Sequence, residues 1–225
     1  DALRHKRLAA EGSRETFAKR SPVVEALVKY PKRIALAAGA FLSIQVSFYI
    51  LIGFILAYGS DPNGAAMSRD DMLIAVLLAS ALQVPTQFWA SAYSDRHGRR
   101  GIFMLGAVLT GVWGFALFPL VDTGNFWLIV LGITGGLVFL GLMYGPQAAF
   151  FTELFSTEVR YSGASLGYQI GAILGGAFAP TIATILWTEY DIVWVSAYIA
   201  LASLLALISV MMLTETYQTN LNEAS

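Results

Sequence analysis

The chain has 225 residues, of which 56% are hydrophobic and only 13% charged. A soluble domain is usually about 25% charged, so too few polar side chains are present to cover a globule in water. The composition excludes a water-soluble enzyme or binding module and leaves an integral membrane protein. The formal net charge of -1 says little as a total, and no nucleic-acid partner is expected. There is no cysteine, which excludes disulfides, cysteine-bound zinc and thiol chemistry. His5 and His97 are far apart and both sit in charged segments. Neither metal catalysis nor a Ser-His-Asp hydrolase is expected, and no cofactor or metal site. The sequence opens on Asp1 with no signal peptide in front of it, so a piece of a longer chain is the expectation.

Residues 1–33 are basic and polar, the pattern of a linker on the cytoplasmic side. Within them Ser21-Pro22 reads as a helix start, with Val23, Val24, Leu27 and Val28 on one apolar face and Tyr30-Pro31 as the stop. Two readings stand for this piece: a short helix on the membrane surface, or a basic stop that only fixes topology.

A membrane helix needs about 20 apolar residues. Six stretches meet that test: 34–58, 72–94, 102–121, 126–149, 164–187 and 192–213, and none contains Lys, Arg, Asp or Glu. Turn formers separate them, among them Asp61-Pro62-Asn63-Gly64 and Asp122-Thr123-Gly124-Asn125. The expected fold is an all-α six-helix bundle over 34–213, followed by a tail, 214–225. Cations set orientation. Thirteen of the fourteen Lys and Arg fall before the first stretch or in the second-to-third and fourth-to-fifth connections, and only Arg69 lies on the other side. Both chain ends are therefore expected in the cytoplasm. Tyr58, Trp127, Trp187, Tyr190 and Trp194 lie near span ends, where interfacial aromatics belong.

Two kinds of helix face follow. Gly163, Gly167, Gly171 and Gly175 recur every four residues, and Ala179 and Ala183 extend the row. Such small-residue rows allow close helix packing in lipid. They serve either static packing or the sliding of one helix on another. Polar residues also line up. Ser80, Gln83, Gln87, Ser91 and Ser94 form one stripe on the second span, and Gln45 and Tyr49 share a face of the first. Tyr144 and Gln147 lie in the fourth span, Ser165, Tyr168 and Gln169 in the fifth. An unpaired amide in hydrocarbon costs on the order of several kcal/mol, so these side chains face either one another or an aqueous solute pathway.

The tight connection Ser94-Asp95-Arg96-His97-Gly98-Arg99-Arg100 places one carboxylate among three guanidiniums, with Gly98 suited to a positive φ. It resembles the D-R-x-G-R-[RK] signature loop of the major facilitator superfamily. Gly145-Pro146-Gln147, Glu153-Leu154-Phe155 and Arg160 to Gln169 are similar to the region between the tenth and eleventh helices of that superfamily's metabolite:proton symporters, the branch of shikimate, 2-oxoglutarate, citrate and proline/betaine carriers. The resemblance runs from Pro22 to Thr214. Such carriers have twelve helices in two halves. The basic stretch 1–33, similar to their central linker, and the lack of a buried Arg in the fourth span point to the C-terminal half.

The resemblance implies secondary transport of a small organic acid or zwitterionic osmolyte across the cytoplasmic membrane. It implies alternating access, the proton as coupling ion, and an N-terminal six-helix half as partner. It places Asp95 at the start of the fifth span, Ser162-Gly163, with Arg96, Arg99, Arg100, Glu153 and Arg160 in a cytoplasmic charge cluster. Plain solvated loop charge is the alternative for Glu153, Glu158 and Arg160. The solute-cavity candidates are Gln45, Tyr49, Gln83, Gln87, Tyr144, Gln147 and Gln169. A membrane sensor or assembly subunit that keeps the fold is the competing reading. A channel would need pore charges or filter carbonyls, and none is visible.

Overall fold

A computed structural model describes residues 21–216. Residues 1–20 and 217–225, which hold most of the expected linker and tail, lie outside the described part.

Each of the six apolar stretches forms a long helix. A short amphipathic helix α1, Pro22–Lys29, precedes them. The spans are α2 (Pro31–Ser60), α3 (Arg69–His97), α4 (Arg99–Asp122), α5 (Phe126–Glu153), α6 (Arg160–Glu189) and α7 (Ile192–Met212). The described residues are helical apart from short connections, so the backbone is paired largely within helices, as hydrocarbon requires, with local interruptions at Pro85, Pro119, Pro146 and Pro180. The protein is a multi-pass membrane protein.

The helix ends follow local chemistry. The Ser68 hydroxyl caps α3, accepting from the Asp71 N–H. The Asn125 side chain caps α5, and Asp191 caps α7. Ser21 stands at the N-cap of α1, but its side chain makes no capping bond. Gly98 joins α3 to α4 at φ +100°, a conformation that a Cβ would strain.

Side-by-side packing runs α3–α5–α4–α7–α2–α6. Small residues set the closest approaches. A Cβ on Gly171 would lie 2.7 Å from the Ala38 carbonyl oxygen, and one on Gly175 2.6 Å from that of Leu42. Gly167 meets the Ala37 methyl, and Ala179 and Ala183 extend the buried row. The row is thus a backbone-to-backbone seam between α6 and α2. Gly163 is the exception, because it packs on the Phe155 ring, outside that seam.

Two helices depart from regular winding. A π-turn covers Ile50–Phe54 in α2 and another Ile173–Ala177 in α6. Pro180 explains the second, since it lacks an N–H and its ring crowds the carbonyl of Gly176 four residues earlier. An extra residue in a turn rotates everything beyond it. Beyond the first π-turn, Tyr58 is buried rather than interfacial. It packs edge-on against Trp187 and Phe118 and donates to the Asp122 carboxylate at 2.6 Å. Trp127, Tyr190 and Trp194 remain exposed at the same end of the bundle.

Candidate functional site

The α3–α4 hairpin carries the densest set of charged contacts among the described residues. Arg99, in the first turn of α4, bridges two carboxylates. Its Nε donates to both oxygens of Glu153, at 2.8 and 2.9 Å, and its Nη1 to Asp95 at 2.7 Å. The guanidinium is nearly buried, with 12% of the side chain exposed, against 57% for Asp95. Nη1 also reaches the buried Ser94 hydroxyl. A planar five-donor group suits this fork, and a lysine ammonium would not.

The segment after α7 closes over the same place. The Thr216 hydroxyl donates to Glu153 at 2.6 Å. The Glu215 carboxylate accepts the backbone N–H groups of Arg99 and Arg100, both at 3.2 Å. Arg100 turns the other way and donates to the Val210 and Met211 carbonyls at the end of α7. An anion thus sits at a helix N-terminus and a cation at a C-terminus, and both arrangements are favourable. Glu215 and Thr216 were not legible as site residues, because they read as ordinary tail polarity beyond the last span.

The structure corrects three expectations for this cluster. Asp95 bonds Arg99, while Gly163, at its expected docking place, is occupied by Phe155. Arg96 follows Asp95 and is exposed, and among the described residues its side chain makes no hydrogen bond or ion pair with the cluster. Arg160 opens α6 beside α2 and hydrogen-bonds Thr157, apart from the cluster. For Asp95 and Arg160 the reason is packing order: α3 and α4 lie against α5, whereas α6 packs mainly on α2.

The polar residues of the spans separate into groups. Tyr144 and Gln147 of α5 meet Ser165 and Tyr168 of α6 around an open cleft of ≈ 390 Å³ that Thr152 and Tyr161 extend toward the hairpin end. Gln147 is buried at its wall. The Tyr168 ring lies over Phe41 of α2, with centroids 4.1 Å apart. One and two turns beyond Phe41, Gln45 and Tyr49 lie against Gly175 and Gly176 in the α6 π-turn. Tyr49 is partly exposed, at 41%. Gln169 is exposed and does not line the cleft. Gln83 and Gln87 run along the α3–α5 contact, where Gly141 and Gly145 let the helices approach. A second groove, ≈ 340 Å³ between α4 and α7, is lined almost wholly by aliphatic and aromatic carbon. Its polar member, Ser203, is paired with Ser43.

The major facilitator superfamily model matches residues 34–224. The chain belongs to the major facilitator superfamily. It is 32% identical over 219 residues to the inner membrane metabolite transport protein YhjE of Escherichia coli strain K12, an alignment covering 87% of this chain and 49% of that protein. Against the shikimate transporter of the same strain it is 32% identical, covering 81% of this chain and 42% of the transporter. Against that strain's proline/betaine transporter the identity is 24%, with 85% and 38% covered. These relatives are named as transporters, not enzymes, and this chain spans about half of their length.

Proposed function

We propose that these six helices are the C-terminal half of a secondary transporter for a small metabolite. The class is an organic acid or a zwitterionic osmolyte, the chemistry of the named relatives' solutes. The observation that carries this reading is the cleft of Tyr144, Gln147, Ser165 and Tyr168, open on one side of the bundle. Phenols, amides and hydroxyls bond a carboxylate or hydroxyl solute without fixing a charge in hydrocarbon. A second six-helix half, closing that open side, would complete the cavity. Gln45 and Tyr49 do not line this cleft; on α2 beside the α6 π-turn, they border the completed cavity in this reading.

The hairpin end faces the cytoplasm in this reading, as the distribution of Lys and Arg supports. The Asp95–Arg99–Glu153–Thr216 cluster then works as the inner latch, holding α3, α4, α5 and the segment after α7 as one body while the halves rock. Coupling is to protons. Within the described spans Asp and Glu occur only near helix ends, such as Asp95, Asp122, Glu153 and Glu189, so the carboxylate that carries the proton through the membrane sits on the other half. Uptake of labelled shikimate or betaine into proteoliposomes, with and without an imposed proton gradient, tests the reading. Gradient-dependent uptake by the chain together with an N-terminal half, and none by the chain alone as a monomer, is expected. Coupled uptake by the monomer of residues 1–225 would overturn the half assignment.

A further inference from the structure

Helix α1 takes no part in the latch or the cleft, yet it is held in a fixed place. Ala26 is fully buried and Tyr30 nearly so, both against the bundle. The Tyr30 ring meets Phe155 edge-on, with centroids 5.8 Å apart. Arg33, whose guanidinium lies over that ring, donates to the Leu154 carbonyl. One side of α1 is therefore pinned to the turn that follows Glu153.

Around the helix axis the residues fall into three arcs, at 100° per residue. Ala26 and Tyr30 form the pinned side. Glu25 and Lys29 form a polar side. Val23, Val24, Leu27 and Val28 fill the rest, and that apolar arc is open: Val28 is 62% exposed, and the other three between 43% and 46%. A continuous four-residue aliphatic face left open beside the side pinned by Ala26 and Tyr30 calls for a partner. Position and charge indicate which one. Tyr30 alone separates α1 from a membrane-spanning helix, so α1 lies at the level of the bilayer surface. Lys29, Lys32 and Arg33 stand at its C-terminal end, with six more Lys and Arg in residues 1–20. Apolar side chains flanked by cations match the acyl–headgroup boundary of an anionic leaflet.

We propose that α1 is a docking element for anionic phospholipid, with Val23, Val24, Leu27 and Val28 inserted among acyl chains and Lys29 and Lys32 on the headgroups. In the orientation proposed above this is the inner leaflet. The absence of cysteine allows a single label to be placed anywhere. Bimane is attached to a cysteine replacing Val28, or Val24 in a second preparation, and to one replacing Glu25. The whole chain is reconstituted in phosphatidylcholine vesicles with and without phosphatidylglycerol. Nitroxide-bearing lipid should quench the 24 and 28 labels several-fold more than the 25 label, and aqueous iodide should show the reverse order. The lipid quenching should rise with phosphatidylglycerol and fall in a Lys29→Gln/Lys32→Gln double variant. Equal iodide quenching at 25 and 28 would show a solvated helix and overturn the proposal. Protection of 24 and 28 from both quenchers would show a protein covering the face, another half or a second copy, and overturn it as well. The readout does not depend on uptake, so it stands or falls separately from the transport reading.

Discussion

Arg99 and Glu153 are 54 residues apart in sequence and joined by two hydrogen bonds, at 2.8 and 2.9 Å, from one guanidinium nitrogen to both carboxylate oxygens. The contact fastens the start of α4 to the end of α5 and presents Nη1 of Arg99 to both Asp95 and Ser94. Glu153→Gln and Arg99→Lys should each cost about 1.5–3 kcal/mol of this charge-assisted contact and lower uptake by the assembled transporter about tenfold. Asp95→Asn should cost less stability, under about 1 kcal/mol for so exposed a partner, while still impairing uptake more than expression. Thermal melts and uptake on the same preparations check both. Normal uptake in Asp95→Asn would leave that residue a topological role only.

The segment after α7 should behave as part of the bundle. Replacing Glu215 by Gln weakens the anion at the α4 N-terminus, and Thr216→Val removes a donor to Glu153. Each is expected to lower stability by about 0.5–1 kcal/mol. The pair should be additive with substitutions at Gly171 and non-additive with Glu153→Gln, because only the latter shares a partner. A double-mutant cycle in detergent measures this directly.

Glycine substitutions should separate packing from propensity. Gly171→Ala drives a methyl into the Ala38 carbonyl and should destabilise by about 1–3 kcal/mol. At Gly101 an added Cβ meets nothing within 4 Å, so Gly101→Ala should be neutral or stabilising by up to about 1 kcal/mol from helix propensity alone. Comparable losses at both sites would argue against the α2–α6 seam.

Solute binding should respond along the cleft. Gln147→Leu, Tyr168→Phe, Gln45→Ala and Tyr49→Phe are expected to raise the apparent substrate constant several-fold, about 1 kcal/mol for each lost hydrogen bond. Gln83→Leu, on the α3–α5 contact, should change stability rather than affinity. Substrate should protect a cysteine at position 147 from a permeant thiol reagent, and lack of protection there would move the binding site elsewhere.

Cysteines at Asn63 and Thr123 should react with an impermeant reagent from outside, and one at Gly98 only from inside. External labelling at position 98 would reverse the orientation and remove the inner-latch reading with it.

The six spans and the tight hairpin were legible in the sequence because their causes are local. Each apolar stretch must pair its own backbone in hydrocarbon, and that requirement acts residue by residue along the chain. Gly98 was legible for the same reason, since a positive φ is a property of one residue. The row from Gly167 to Gly175 was legible as a close-packing face, but its partner, α2, was not. The Asp95–Arg99 pairing, the place of Arg160 outside the cluster, the contacts of Glu215 and Thr216, and the Tyr58–Asp122 bond are not legible in this way. These depend on which helices are neighbours and how each is rotated. The π-turn at Ile50–Phe54 shifts that rotation with no proline to mark it in α2. Hydropathy adds up along a single helix and so can be read from its own residues. A contact between helices depends on the order and phase of all six, which only the packed bundle fixes.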